Sequence, residues 1–383
     1  MSASTPKWPP SSVKSSSKLV DHPGAIMEAE LKPAFEKICA TAPRPAVRKK
    51  LVRRAAPDRS QHLRRAVQVL FVLLNGYIGF EFWRFVRHFE AGTPAVPRPA
   101  GVEGWLPIAG LMNLKYFFLT GRVSPIHPAA MFLLGAFLLI SIIFRKAFCG
   151  WLCPVGTLSE ALWKLGRKVT GRNWRLPRTV DLILRGLKYL LLGFFLYAVA
   201  GLSAESIAAF MGSPYGLVAD VKMLNFFRHL GETAAITLAV LGALSIVYQN
   251  FWCRYVCPYG ALTGMVSLLS PARIRRDPDR CIDCEKCARA CPALLPVDKL
   301  MTVRSAECMS CLECVAACPA AGALQMSVRR RTVPAWIIAA GIALVFGAVV
   351  GYAKWAGLWQ THIPADLYNE LVTRANEFVH PGM

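Results

Sequence analysis

The chain has 383 residues, 54% of them hydrophobic, and a formal net charge of +22, with a mean hydropathy of +0.38. A soluble enzyme rarely combines these values; a membrane protein with basic cytoplasmic loops does. Nucleic-acid binding is the other common use of basic runs, but here they lie directly against apolar stretches, and no nucleic-acid partner is expected.

Residues 1–62 are rich in Ser, Pro and Ala, with one short helical candidate at 25–39. They lack the apolar core and cleavage site of a secretory signal, so a basic, mostly disordered cytoplasmic extension is expected. Cys39 stands alone there and reads as incidental.

Uncharged stretches follow at 66–80, 123–144, 189–204, 233–253 and 332–353. About 20 apolar residues are needed to cross the hydrocarbon of a lipid bilayer. The second, fourth and fifth stretches meet this. The first and third do so once extended through 75–85 and 201–210, which leaves Glu81 and Glu205 near an interface. The expected fold class is therefore a membrane all-α bundle of about five transmembrane helices. Four spans fall in 63–270, the fifth in 332–355, and 356–383 forms a short outer tail. Lys and Arg crowd residues 44–65, 145–188 and the flanks of 281–318, and are sparse at 87–122, at 203–232 and after Lys354. Basic loops stay in the cytoplasm, so the N-terminus and residues 271–328 are expected inside a bacterial inner membrane and the C-terminus in the periplasm.

The membrane part contains a repeat. Cys149-Gly-Trp-Leu-Cys153-Pro154-Val-Gly156-Thr-Leu158 returns 104 residues later as Cys253-Arg-Tyr-Val-Cys257-Pro258-Tyr-Gly260-Ala-Leu262. Each copy closes the same plan: a span, an apolar outer loop (101–128 and 205–227), a second span, then C-x3-C-P. The outer loops have the character of interfacial or re-entrant segments. Both units start inside, so the repeats are parallel, about an axis along the membrane normal, and their four cysteines share one depth. Continued helix would put residues four apart on one face, although the proline limits that at the second cysteine. Three uses stay open for Cys149, Cys153, Cys253 and Cys257: an added metal or Fe–S centre, redox or metal-trafficking dithiols, or packing as small hydrophobes.

Between spans four and five, Cys281, Cys284, Cys287 and Cys291-Pro292 read C-x2-C-x2-C-x3-C-P, and Cys308, Cys311, Cys314 and Cys318-Pro319 repeat it. On the cytoplasmic side cysteines serve as ligands or thiols more than as disulfides, and zinc sites normally use two ligand pairs per metal. The pattern resembles bacterial two-cluster ferredoxins, in which the fourth cysteine of each run crosses to the other cluster. The resemblance implies an inserted small α+β domain with two [4Fe–4S] clusters. Cys281, Cys284, Cys287 and Cys318 would hold one; Cys308, Cys311, Cys314 and Cys291 would hold the other.

Together the C-x3-C-P repeat, the four preceding spans and the tandem cluster motif resemble the NapH/NosR-type membrane ferredoxins, over roughly residues 66–328. These share features with the CcoG (FixG/RdxA) proteins of oxidase assembly. The resemblance implies a protein that passes electrons between the quinone pool, its clusters and a redox partner. NosR-type members carry a large outer flavin-binding domain and CcoG-type members a sizeable outer C-terminal domain. This chain matches neither, which favours a compact NapH-like carrier with one added span.

His88, His127 and His229 map to the outer side near span ends and C-x-x-C-H is missing, so no haem is expected. No G-x-G-x-x-G or P-loop context marks a nucleotide site. A quinol site needs a group to take protons; His127, with Glu81 and Glu205, is the outer candidate. The leading function is quinol-linked electron transfer. The rivals are a metal-reducing assembly factor of the CcoG type and a redox-sensing membrane scaffold.

Overall fold

The computed structural model describes residues 51–55, 58–329 and 331–380; the helical candidate at 25–39 and Cys39 lie outside them. Helix α1 (Ser60–Ala91) runs for 32 residues, about 48 Å at 1.5 Å per residue. It begins before the uncharged stretch because Arg64 is neutralised by Glu160, 2.7 Å away, so the helix need not stop at that charge. It ends at Gly92, whose φ of 64° suits a glycine after a helix. A turn at Ala100–Trp105 leads into α2 (Pro107–Thr120) and α3 (Pro128–Phe144), apolar along its 17 residues and buried over much of them. A single π-helical turn, Phe148–Leu152, carries the first box. Helix α4 (Pro154–Thr170) follows.

The second unit repeats this plan with an outer part divided into three helical pieces. Helix α5 (Arg178–Ala200) extends well ahead of its apolar stretch, because Arg185 and Lys188 pair with Asp181 and Glu307. Then come α6 (Ala204–Gly212), a helical turn at Pro214–Leu217, α7 (Ala219–Arg228) and α8 (Glu232–Val247). A second π-helical turn, Trp252–Val256, occupies the equivalent 104-residue position, followed by α9 (Pro258–Val266).

The cysteine-rich segment is closed by strands β1 (Ala272–Arg276) and β2 (Leu324–Val328), antiparallel with Ala272 opposite Val328 and Arg276 opposite Leu324. Strand β3 (Arg331–Thr332) adds to β2. Two short helices, α10 (Lys286–Ala290) and α11 (Glu313–Ala316), sit between the strands. Helix α12 (Ala335–Trp355) and the outer-end helix α13 (Ala365–Thr373) complete the chain.

The molecule is thus mostly helical with one small antiparallel sheet. Among the described residues, α1, α5 and α12 are long and apolar enough to cross a membrane, and the α7–α8 pair, bent by 78°, passes the same test together. Helix α3 is apolar but shorter. The sheet shares one hydrophobic core with the bundle: Ile274, Leu324 and Met326 join Trp151, Ile140 and the α12 residues Ile338 and Ile342. Burying these side chains stabilises by about 1.5–3 kcal/mol each, which fixes the cysteine-rich segment on one end of the bundle. At the opposite end, Phe82 and Val86 of α1 pack with Val218, Val221 and the α13 residues Tyr368 and Leu371.

Candidate functional site

The two C-x2-C-x2-C-x3-C runs adopt matching backbones. Asp283 and Ser310, then Glu285 and Leu312, all have positive φ (52°, 51°, 58° and 60°), at equivalent places 27 residues apart. These left-handed residues give the two runs the same curl. The fourth cysteine of each run lies near the other run: Cys318 is within electrostatic reach of Cys284 and Cys281, and Cys291, with Cys311, Cys308 and Cys287, is within reach of Cys314. Cys291, Cys308, Cys311 and Cys314 line one cavity, with Ile274, Val297 and Val303 as its apolar wall.

Burial pushes the Cys287 thiol up to about 11 and Cys291 likewise to about 11, with neighbouring thiols acting the same way. Thiolate is the form that ligates iron, and a bound cation would favour it. The four sulfur-bearing residues around one cavity fit an iron–sulfur cluster. Among the described residues no group of three or more His, Cys, Asp or Glu side chains is placed to hold a single metal ion.

One of these two sets is clamped to the bundle. Trp151 Nε1 donates to Ser310 O at 3.0 Å, Gln61 Nε2 to Cys311 O at 2.9 Å and Gln249 Nε2 to Cys291 O at 3.3 Å. Arg254 donates to Ala293 O and to Asp181. A side chain at Gly150 would collide with the carbonyl of Met309, so that box needs glycine for this close approach. Arg64 adds bonds to Gly150 O at 3.2 Å and Glu313 at 2.8 Å. Apart from the Arg254–Asp181 and Arg64–Gly150 bonds within the bundle, these contacts fall on residues 291–293 or 309–313.

Within the C-x3-C-P boxes the helix does not run on. Each π-helical turn ends at the second cysteine, which is extended before its proline (ψ 117° for Cys153, 106° for Cys257). That cysteine then caps the next helix: Cys153 Sγ accepts from Gly156 N at 3.4 Å and Cys257 Sγ from Gly260 N at 3.3 Å. Both second cysteines line the floor of a cleft of about 950 Å³, near the top of the usual range for ligand sites. Its walls are apolar and aromatic, including Phe71, Phe137, Phe195 and Phe346; Tyr259 stands at the floor, while Glu81, Arg98, Lys354 and Gln360 ring the other end.

The three proton-acceptor candidates occupy different settings. Glu81 lines the cleft and pairs with Arg84 at 3.0 Å. Glu205 lies exposed in the first turn of α6. His127 is wholly buried away from the cleft lining, with Nε2 on Gly216 O at 2.9 Å and Nδ1 facing Glu103 at 3.4 Å. It belongs to an ion network that sequence reasoning missed. Arg98 binds Glu103 at 2.8 Å and Asp220 at 2.6 Å, Thr361 donates to Glu103 at 2.5 Å, and Tyr368 reaches Asp220 at 3.4 Å. This latch ties both outer loops to the residues around α13.

Comparison with known proteins agrees with this geometry. A family model described as a 4Fe–4S binding domain matches twice, at residues 126–173 and 231–276. A 4Fe–4S dicluster domain matches residues 273–322. The chain is 49% identical over 326 residues to the putative electron transport protein YccM of Escherichia coli, covering 83% of this chain and 91% of that one. The chain belongs to the membrane-bound ferredoxin-type proteins. Other members similar to it are the ferredoxin-type protein NapH of Haemophilus influenzae, 27% identical over 43% of this chain and 55% of NapH, and the regulatory protein NosR of Pseudomonas aeruginosa, 33% identical over 42% of this chain and 22% of NosR. No solved structure matches the chain. As a member of this family the chain is an iron–sulfur electron-transport protein.

Proposed function

We propose that this protein passes electrons between the membrane quinone pool and a redox partner, through a cleft, the C-x3-C-P boxes and two [4Fe–4S] clusters. The observation that carries the reading is the position of the boxes: one side floors the apolar cleft, and the other packs directly on the loops of Cys291 and Cys308–Cys314. In this reading Cys308, Cys311, Cys314 and Cys291 hold the membrane-proximal cluster. Cys281, Cys284, Cys287 and Cys318 hold the distal one, which faces the partner. Thiolate-held iron supplies one-electron chemistry.

An aromatic-walled cleft with polar groups at its ends suits an isoprenoid quinone. Oxidising one quinol releases two electrons and two protons; the electrons leave singly, and Glu81 is the group placed to accept a proton. The bundle crosses the inner membrane five times, counting α3, with lipid around the exposed apolar faces of α5 and α8. The clusters are cytoplasmic and α13 is periplasmic.

The test is reduction of the purified, detergent-solubilised protein by a soluble quinol analogue, followed by cluster absorbance. The analogue should bleach the clusters in the wild type and fail in Ile78→Trp, which fills the cleft, while dithionite reduces both. Wild-type clusters that dithionite reduces and quinol leaves oxidised would sink the quinone assignment.

A further inference from the structure

The two boxes do not merely resemble each other; each is completed by the other repeat. Cys149 Sγ lies 3.3 Å from Thr263 Oγ1, and Cys253 lies within electrostatic reach of Ser159, whose hydroxyl donates to Asn250 Oδ1 at 3.3 Å. Ser159 and Thr263 are again 104 residues apart, ten beyond the first cysteine of each box. The sulfur of each repeat therefore lies beside the helix that follows the box of the other, as a pseudo-twofold axis between the boxes requires. The second cysteines obey the same axis, since both line the floor of one cleft and both are capped from the amide three residues on.

We propose that Cys149, Cys153, Cys253 and Cys257 together hold a third iron–sulfur cluster on this axis, two thiolates from each repeat. The proposal deepens the electron-transfer reading, because the cluster would lie between the cleft and the proximal ferredoxin cluster. Four observations converge on it. Cys153 lies within electrostatic reach of all three other box cysteines. Both second cysteines cap the next helix through their sulfurs and lie on the floor of one cleft. Each segment matched by the 4Fe–4S binding model contains only two cysteines, half of what a cluster takes, so one cluster needs both. Finally, the buried Lys146 lies within electrostatic reach of Cys253 and Cys257, and the Gly156 and Gly260 amides point at sulfur. Positive charge and N–H donors beside the sulfurs favour the anionic cluster and tune its potential.

The full chain, purified anaerobically in detergent, gives the primary readout. The two ferredoxin clusters account for about eight irons and eight acid-labile sulfides; the proposal expects more of both, with a third signal in electron paramagnetic resonance after reduction. The excess should vanish completely in Cys149→Ser/Cys153→Ser and also in Cys253→Ser/Cys257→Ser, while the ferredoxin signals persist. Wild-type protein with eight irons and both ferredoxin signals would overturn the proposal, and so would stoichiometric zinc, or an excess that falls by half in each double variant.

Serine variants can fail to assemble, so Thr263→Val and Ser159→Ala provide a second arm that leaves every ligand in place. Each should shift the midpoint potential of the third signal and leave the ferredoxin potentials unchanged; an unmoved third signal argues that these sulfurs are not ligands. The quinol experiment fails or succeeds separately. Quinol reduction without a third cluster rejects this proposal alone, and a third cluster that quinol cannot reduce rejects the quinone assignment alone.

Discussion

Arg64, fully buried near the start of α1, donates to Glu313 beside the ligand run at 2.8 Å while holding Glu160 of α4 at 2.7 Å. One guanidinium thus neutralises carboxylates from the bundle and from the cysteine-rich segment at once. Burial would raise Glu160, but the Arg64 hydrogen bonds and charge, with Lys164, hold it down to about 2. Removing one partner of a buried pair strands the others, at about 3–5 kcal/mol. Arg64→Ala should therefore lower the thermal midpoint of cluster loss by several degrees, and Arg64→Lys should recover part of it. An unchanged midpoint would mean that the shared hydrophobic core alone holds the two parts together.

Crossed ligation gives the second prediction. Cys291→Ala should abolish the signal of the cluster grouped with Cys308, Cys311 and Cys314, while Cys318→Ala should abolish the other. Redox titration followed by electron paramagnetic resonance separates the two. If each substitution removes the cluster of its own sequence run, the crossover is wrong.

The outer latch has a predictable pH range. Burial would raise Glu103, but its hydrogen bond with His127 and the Arg98 charge hold it down to about 2. Its contribution is present above the usual carboxyl value near 4.5 and is lost as pH falls toward 2. Burial would lower His127, yet the Glu103 hydrogen bond and charge raise it above the usual 6.5. That contribution is full below 6.5 and is lost as pH rises through the higher folded value. Protease resistance around α13 should therefore peak between about pH 5 and 6.5. The peak should flatten on both sides in Glu103→Gln; a pH-independent profile in the wild type would refute the coupling.

Topology supplies the fourth. Reporter fusions after Gly92, Arg228 and Met383 should read as periplasmic, and those after Arg172 and Asp279 as cytoplasmic, from the Lys/Arg asymmetry. A cytoplasmic reading after Met383 would remove α12 from the list of spans.

How much of this could be read in advance depends on the range of each interaction. The C-x2-C-x2-C-x3-C register was legible because ligand spacing is local, and YccM, NapH and NosR bear out the family resemblance it suggested. The 104-residue repeat was equally plain, and carrying it one residue past Leu158 and Leu262 would have found Ser159 and Thr263. Helix lengths were harder: α1 and α5 continue through Arg64 and Lys188 only because Glu160, Glu313 and Glu307 lie opposite in space. The Arg98–Asp220 pair spans 122 positions and leaves no periodic trace. Pro125-Ile-His-Pro128 likewise gave no sign that His127 would be sealed inside that network.

The latch also sets an order of assembly. Tyr368 and Thr361, which Asp220 and Glu103 acquire as partners, follow the final cluster cysteine, Cys318, in the sequence, so they are synthesised after every iron ligand. A chain halted after β3 would already carry every iron ligand discussed above, yet its outer loops would lack their final staple, exposing incomplete copies to quality-control proteases at that end.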